Sequence, residues 1–244
     1  MQIIFLMGGQ NFEKNSEEYP LYLTEISEKL IIEKQIDYCR GLKPRKFLFC
    51  VKDKDIQNFQ VDSVIKQLVP DSEIIIINDR TMGAVCTALL SIEFINNEEE
   101  LILLAVDDFI EVSSENILQF FRESNSDAGV VSFNSVHPRY SFAKLDAQNL
   151  VIEVSEKKPI SKNALVSFYY YKRGSDFVES AKNVIRKDNL INGAFYLSQT
   201  LNEMILEQKK VSIYKINNEK FHPLKTEIQL AQYISELMDV KDSK

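Results

Sequence analysis

The sequence predicts one α/β domain, its first half a mainly parallel, doubly wound sheet and its second half carrying an inserted β region. Three observations predict it. Up to about residue 126, short apolar runs alternate with segments of helical periodicity, the order that yields parallel strands joined by crossover helices. After Asp127 strand-like segments follow one another with little helix between them. No low-complexity linker or repeat divides the chain, so residues 1–244 read as a single domain with halves 1–126 and 127–244.

Gln2–Met7 is a continuous apolar run closed by Gly8-Gly9, which reads as a buried strand ending in a turn. The polar stretch Gln10–Glu18 has no clear period. Apolar residues at three- and four-residue steps over Glu28–Tyr38 suit an amphipathic helix. Lys46–Val51 and the isoleucine-rich Glu73–Asn78 are the next strands, and Met82–Ile95 reads as a helix with small and apolar residues on one face. Leu101–Val106 is a fourth strand ending in Asp107-Asp108, after which Ser113 or Ser114 can cap a helix running to about Glu123. In the second half Gly129–Phe133, Tyr140–Leu145, Leu150–Ser155 and Val166–Lys172 read as strands that close over the sheet's edge, and Asp146–Asn149 has hairpin composition. Helices over Ser175–Arg186 and Phe195–Glu207, a strand at Val211–Ile216 and a helix from about Glu227 to Met238 complete the chain.

Hydrophobic and charged fractions of 45% and 27% are ordinary for a soluble globular protein. A formal net charge of −7 argues against a broad basic surface for nucleic acid or anionic lipid. A small anionic ligand remains compatible, since backbone amides and a few local cations suffice to hold phosphate. The longest apolar runs, such as Ile74–Ile77 and Leu101–Val106, are too short to span a bilayer. With no cationic leader ahead of Gln2–Met7, a cytoplasmic protein is expected. Cys39, Cys50 and Cys86 lack metal-ligand spacing and read as thiols of a reducing compartment. No oligomeric state follows from the sequence.

Ligands of open parallel sheets bind beyond the carboxyl ends of the strands, and two such ends are suggestive. At Met7-Gly8-Gly9-Gln10 the glycines let the backbone approach a phosphate or a base, although an ordinary tight turn has the same composition. At Asp107-Asp108 a strand-end acid can hold Mg²⁺ that bridges triphosphate oxygens, the plainer alternative being exposed acids that open a loop. Neighbouring carboxylates of an extended chain point apart, so one ligand, Asp107, is expected. Glu156-Lys157-Lys158-Pro159 offers an acid for sugar hydroxyls and a cation for a phosphate, and equally the composition of a solvated turn. His137-Pro138-Arg139 reads as a turn, with no nearby Ser or Cys and acid to suggest a triad. Tyr169-Tyr170-Tyr171 reads as strand residues alternating between core and surface.

In their order along the chain, His137-Pro138-Arg139-Tyr140-Ser141, Glu156-Lys157, Tyr169–Phe177, Asn192-Gly193-Ala194-Phe195-Tyr196 and Asn202-Glu203 resemble the sugar-phosphate nucleotidylyltransferase family. They look most like a bacterial branch associated with surface polysaccharides. The resemblance covers nearly the whole chain. It implies a Rossmann-like mixed sheet of the nucleotide-diphospho-sugar transferase (GT-A-like) kind, with 1–126 as the nucleotide-binding half and 127–244 as the acceptor-binding half. It also implies a nucleoside triphosphate or nucleotide sugar and a phosphorylated sugar-like acceptor as ligands. By position, Gly8 and Gly9 match the first loop, Gly83 and Ala84 the small residues over the base, and Asp107 the acid that binds Mg²⁺ in catalysis. Glu156 and Lys157 match the pair contacting the acceptor sugar and its phosphate, Lys157 with a catalytic role, and Asn192 and Gly193 lie on the acceptor side.

The chain departs from the family in three places. The first loop, Met7 to Phe12, lacks the arginine that grips the triphosphate. The family's Lys-Pro-Leu is Tyr19-Pro20-Leu21, leaving Lys14 as the nearby candidate to replace its lysine, and the family's Gly-Thr-Pro-Glu-Asp-Leu is Lys225-Thr226-Glu227-Ile228-Gln229-Leu230. Two lost charge-assisted contacts of about 1.5–3 kcal/mol each would slow nucleotidyl transfer by roughly two to four decades. Glycosyl transfer from a nucleotide sugar and a non-catalytic binding role therefore stand beside nucleotidyl transfer as readings.

Overall fold

The computed structural model describes residues 1–9, 12–14, 17–78 and 80–242. The chain enters with β1 (Gln2–Leu6). Two small hairpins follow, β2 (Phe12–Lys14) with β3 (Glu17–Tyr19) and β4 (Glu25–Ile26) with β5 (Lys29–Leu30). Next come α1 (Ile31–Arg40), β6 (Lys46–Lys52), α2 (Asp53–Phe59), α3 (Val61–Leu68), β7 (Glu73–Ile77), α4 (Ala84–Leu89) and α5 (Ile92–Ile95). After these lie β8 (Leu101–Ala105), β9 (Asp108–Ile110) and α6 (Ser114–Glu123). The second half contains β10 (Ala128–Asn134), β11 (Ser141–Leu145), β12 (Val151–Glu156), β13 (Asn163–Tyr171), α7 (Gly174–Arg186), α8 (Leu197–Leu206), β14 (Val211–Lys215), β15 (Phe221–Pro223) and α9 (Glu227–Asp242).

One nine-stranded mixed sheet runs through both halves. β7, β6, β1 and β8 are parallel neighbours, each adjacent pair in register. β13 then binds the other edge of β8 in the antiparallel sense, through Phe168–Tyr171. β10 lies antiparallel to β13, and β14 parallel to β10. The β11–β12 hairpin joins β13 at Phe142 and Ala164. The second-half strands thus extend the sheet instead of closing over its edge. The open edge of β8 would expose a row of unpaired backbone groups, and β13 satisfies them.

Strand alternation divides the core into two faces. Ile3, Phe5, Phe47, Phe49 and Val51 point to one side, with the Phe5 and Phe49 rings stacked at 5.0 Å. Ile4, Leu48 and Cys50 point to the other, against Val85, Ala88, Phe177 and Leu201 from the helices. Helices on both faces explain why these strands are apolar throughout.

Several boundaries differ from the sequence expectation for local reasons. Residues 28–30 are not helical, because Ser27 and Glu28, at φ 50° and 66°, form the turn of the β4–β5 hairpin. The helix expected over Met82–Ile95 is broken at Ser91, whose hydroxyl bonds the Ala88 carbonyl at 2.9 Å. α2 and α3 were not anticipated; Gln60, left-handed at φ 51°, separates them. Ser113 is the cap of α6, accepting from Asn116 N at 3.3 Å, while Ser114 Oγ donates to Tyr38 O. Asp146 Oδ1 accepts from Gln148 N and Leu150 N at 2.9 Å, as the hairpin composition predicts. Among the described residues no helix is long and apolar enough to cross a membrane.

Candidate functional site

Leu6 pairs with Ala105 on one side and Cys50 on the other. Gly8 and Asp107 therefore each lie two residues past a shared rung at the carboxyl end of the sheet. A Cβ on Gly8 would stand 3.2 Å from Ile77 Cδ1 and 3.9 Å from the Thr87 methyl and hydroxyl, so the loop lies close against α4. Gly9 is exposed, with nothing within 4 Å of such a Cβ. Gln10 and Asn11 of this loop, and the side chain of Lys14, lie outside the described part. Tyr19, which the sequence resemblance sets where a lysine is expected, donates its hydroxyl to Leu23 O at 3.2 Å, and its ring meets Phe59 edge-on at 5.4 Å.

Gly83 precedes α4 at φ 106° and ψ 178°, a region essentially restricted to glycine. A Cβ there would stand 2.5 Å from Phe195 O and 2.8 Å from Phe195 N. The close approach is a backbone strap, in which Phe195 N donates to Met82 O at 2.8 Å and Val85 N to Phe195 O at 3.3 Å. The Thr87 hydroxyl bonds both Gly83 O, at 3.2 Å, and Thr81 Oγ1, at 2.6 Å. Ala84 opens α4, half-buried against the core. Asn192 and Gly193 lie just before the strap, at φ 51° and 76°, between Ile191 and Ala194, whose backbones bond each other in both directions. That is the geometry of a type I′ turn, for which Asn-Gly is the favoured pair. Both residues are exposed. Gly83 and the Asn192-Gly193 turn thus meet across one strap.

The strand-end acids part company. Asp107 is partly buried, and its carbonyl accepts Leu224 N at 2.7 Å. Asp108 is buried in β9, which pairs with β15. Its Oδ2 accepts Ser167 N at 3.1 Å, and its Oδ1 lies 3.2 Å from Lys225 Nζ. Buried Gln35 donates to Asp108 O at 2.9 Å and Val106 O at 3.3 Å, fixing the turn beneath. Burial raises the Asp107 carboxyl, Lys225 opposes that, and Asp108 adds to it. For Lys225, crowding by the surrounding chain acts to lower the ammonium's pKa although its side chain reaches solvent, but the Asp108 and Asp107 carboxylates outweigh it and the net shift is upward.

As a magnesium site this set is poor. Mg²⁺ asks for a near-octahedral shell of oxygens. Asp108 is committed to an amide and an ammonium, and that ammonium acts electrostatically on Asp107 as well. Among the described residues no group of three or more His, Cys, Asp or Glu side chains could hold a metal ion.

The Glu156–Lys157 pair is better built. Glu156 ends β12, and its Oε2 accepts from Ser198 Oγ at 2.7 Å and from Ser141 Oγ. Lys157 follows in the left-handed region at φ 56°, uncommon for a non-glycine residue, with its N–H on Tyr140 O at 3.0 Å. Its ammonium donates to Tyr196 OH at 2.6 Å and lies 4.8 Å from the centre of that ring. The Arg139 guanidinium covers the ring of Tyr140 at 4.7 Å. Asn202, also in the resemblance, clamps β12 to α8 through Val154 N and O, both at 2.8 Å. Glu203 takes both its contacts from Lys187, at 2.7 and 2.9 Å. Those two residues serve packing.

Sequence reasoning missed Ser141, Ser198, Tyr196, Gln35 and Lys225 as site residues. Ser141 and Tyr196 lie inside segments that carry the resemblance, but the partners of Lys225, Gln35 and Ser198 are remote in sequence. A cavity of about 300 Å³ elsewhere, lined by Phe120, Asn149 and residues 213–215, contains none of these groups.

No family model matches the chain, and no curated protein sequence matches it. Solved structures do. The nucleoside-diphosphate-sugar pyrophosphorylase of Vibrio cholerae RC9 superposes with a TM-score of 0.82 at 20% identity, over 96% of this chain and 100% of that one. A UDP-glucose pyrophosphorylase complexed with UDP-glucose gives 0.78 at 11% identity, over 98% of each chain. HddC from Yersinia pseudotuberculosis, complexed with GMP-PN, gives 0.66 at 15%, over 97% of this chain and 99% of that one. These likenesses show the fold, a mixed α/β sheet of the kind found in nucleotide-sugar pyrophosphorylases.

Proposed function

We propose that the chain is a nucleotidyltransferase-like enzyme that moves NMP from a nucleoside triphosphate onto the phosphate of a sugar-like acceptor. A phosphate oxygen of the acceptor attacks the α-phosphorus in line. The bond to the bridging oxygen breaks, and pyrophosphate leaves with the electron pair. The acceptor is its own nucleophile, so the protein contributes positioning and charge stabilisation. Because the triphosphate is the donor, the reaction belongs in the cytoplasm, and the branch that the sequence resembles points to surface-polysaccharide precursors.

The observation that carries this reading is the pair Glu156–Lys157, fixed from behind with valences to spare. Two serine hydroxyls converge on Glu156 Oε2, and among the described residues no hydrogen bond reaches Oε1. Lys157 gives one N–H to Tyr196 and has two left for phosphate oxygens. In this reading Gly8 and Gly9 lie under the phosphates and Gly83 and Ala84 against the base. Asn192 and Gly193 act by setting the strap, and no step passes through a metal.

The test is pyrophosphate release from a panel of nucleoside triphosphates and sugar phosphates. Lys157→Ala should lower kcat/KM for the acceptor about ten- to a hundredfold, the worth of one charge-assisted contact. No release from any pair would overturn the reading. A second reading is favoured by Tyr19, which is turned into packing where the family has a phosphate-facing lysine. A nucleotide sugar carries less charge and needs less grip. Tighter binding of nucleotide sugars than of triphosphates, without pyrophosphate release, would assign the chain to glycosyl transfer or to a binding role.

A further inference from the structure

We propose that the Lys225 ammonium stands in for a divalent cation at this site, so that the ligand's phosphates are bound there without metal. This rests on the reading that phosphates lie at this end of the sheet, and it adds the source of the positive charge.

Three observations lead to it. Lys225 Nζ lies 3.2 Å from Asp108 Oδ1, an atom that is buried and has no hydrogen-bond partner, so the ammonium is its only compensation among the described residues. The Lys225 side chain is nonetheless 44% exposed while that of Asp108 is 3% exposed. An ammonium has three donors, and the ion pair with Asp108 uses at most one of them, so at least two remain for oxygens on the open side. The pairing of β9 with β15 and the bond from Leu224 N to Asp107 O hold the lysine's backbone at the strand-end acids, so its place is set by the fold.

A second cation beside Asp107 would be repelled by this ammonium and would find too few free oxygens. Lys225 therefore excludes the metal while supplying charge of the same sign. With Lys157 bonded through its N–H to Tyr140 O and Arg139 over the Tyr140 ring, the second half of the chain carries cations where residues 7–12 have none.

The experiment uses the whole chain and two probes. Titrating Mn²⁺ alone, followed by electron paramagnetic resonance, should show no saturable site on the wild type. Lys225→Gly should gain a site that is lost again when Asp107→Asn is added. A saturable wild-type Mn²⁺ site abolished by Asp107→Asn would overturn the proposal. Inorganic pyrophosphate, titrated calorimetrically, should bind the wild type equally in EDTA and in Mg²⁺, and Lys225→Gln should weaken it about ten- to a hundredfold. Binding only with Mg²⁺, or none in either buffer, would also overturn it. The wild-type arms need no variant to fold. The Mn²⁺ titration involves no nucleotide or sugar, so its failure is distinct from failure of the transferase reading, which turnover decides.

Discussion

Replacing Gly83 with alanine tests the backbone strap between α4 and Phe195. The substitution places a Cβ 2.5 Å from Phe195 O, 2.8 Å from Phe195 N and 3.1 Å from Ala194 Cβ. Two of these neighbours are backbone atoms, so no rotamer change relieves the overlap. The backbone itself, at φ 106° and ψ 178°, costs an L-residue about 1–3 kcal/mol. Moving Phe195 away breaks its bonds to Met82 and Val85, each worth about 1 kcal/mol. Together these come to about 3–5 kcal/mol, and at about 2–4 °C per kcal/mol the melting temperature should fall about 6–20 °C. Urea unfolding followed by circular dichroism measures the loss, and hydrogen exchange at the Val85 and Phe195 amides locates it. Exchange should accelerate there while Ile3 and Leu103, in the central strands, stay protected. A midpoint within about 0.5 kcal/mol of wild type, with both amides still protected, would refute the account, since surface changes of no consequence fall in that range.

Other outcomes follow from single contacts. Tyr171→Phe removes a hydroxyl bonded to Thr200 Oγ1 at 2.6 Å in the core, and should cost about 1 kcal/mol, or about 2–4 °C in melting temperature. Burial acts to raise the Glu100 carboxyl, but Arg122, at 2.8 and 2.5 Å, and Tyr170, at 3.0 Å, hold its pKa below the ordinary value. A depressed carboxylate stabilises the fold above its unfolded pKa and loses that contribution as pH falls through the folded one. The stability gap between wild type and Arg122→Ala should therefore be full above about pH 5 and shrink below about pH 4, as chemical denaturation across that range would show. Cys39 and Cys50 are wholly buried, and burial pushes the Cys50 thiol up to about 12. A disulfide reagent should modify at most Cys86 in the native protein and all three thiols after unfolding; native modification of Cys39 or Cys50 would contradict the packing.

Part of this architecture was legible in the residues themselves. The apolar runs at Gln2–Leu6 and Leu101–Ala105 are strands because helices cover both faces of the sheet, and a doubly covered strand needs no polar alternation. Asp146–Asn149 is a turn because an aspartate side chain bonds the amides just after it. Asn192-Gly193 was legible as a pair, but its reason is local, since both residues adopt left-handed backbone in a two-residue turn. Short elements were harder to read: α2 and α3 are separated by a left-handed Gln60, and the helix expected over Met82–Ile95 breaks at Ser91.

The sequence by itself determined what depends on near neighbours and on burial: most of the strands and longer helices, and the loops that follow β1 at Gly8 and β8 at Asp107. Only the tertiary structure decided which groups those residues meet. Ser198 reaches Glu156, Gln35 reaches the carbonyls of Val106 and Asp108, and Lys225 reaches Asp108, each across a long stretch of chain. The physical reason is that hydrogen bonds and ion pairs act over a few ångströms in space and carry no period along the chain. The pairing of β9 with β15, two three-residue strands, is what puts an ammonium beside the strand-end acids.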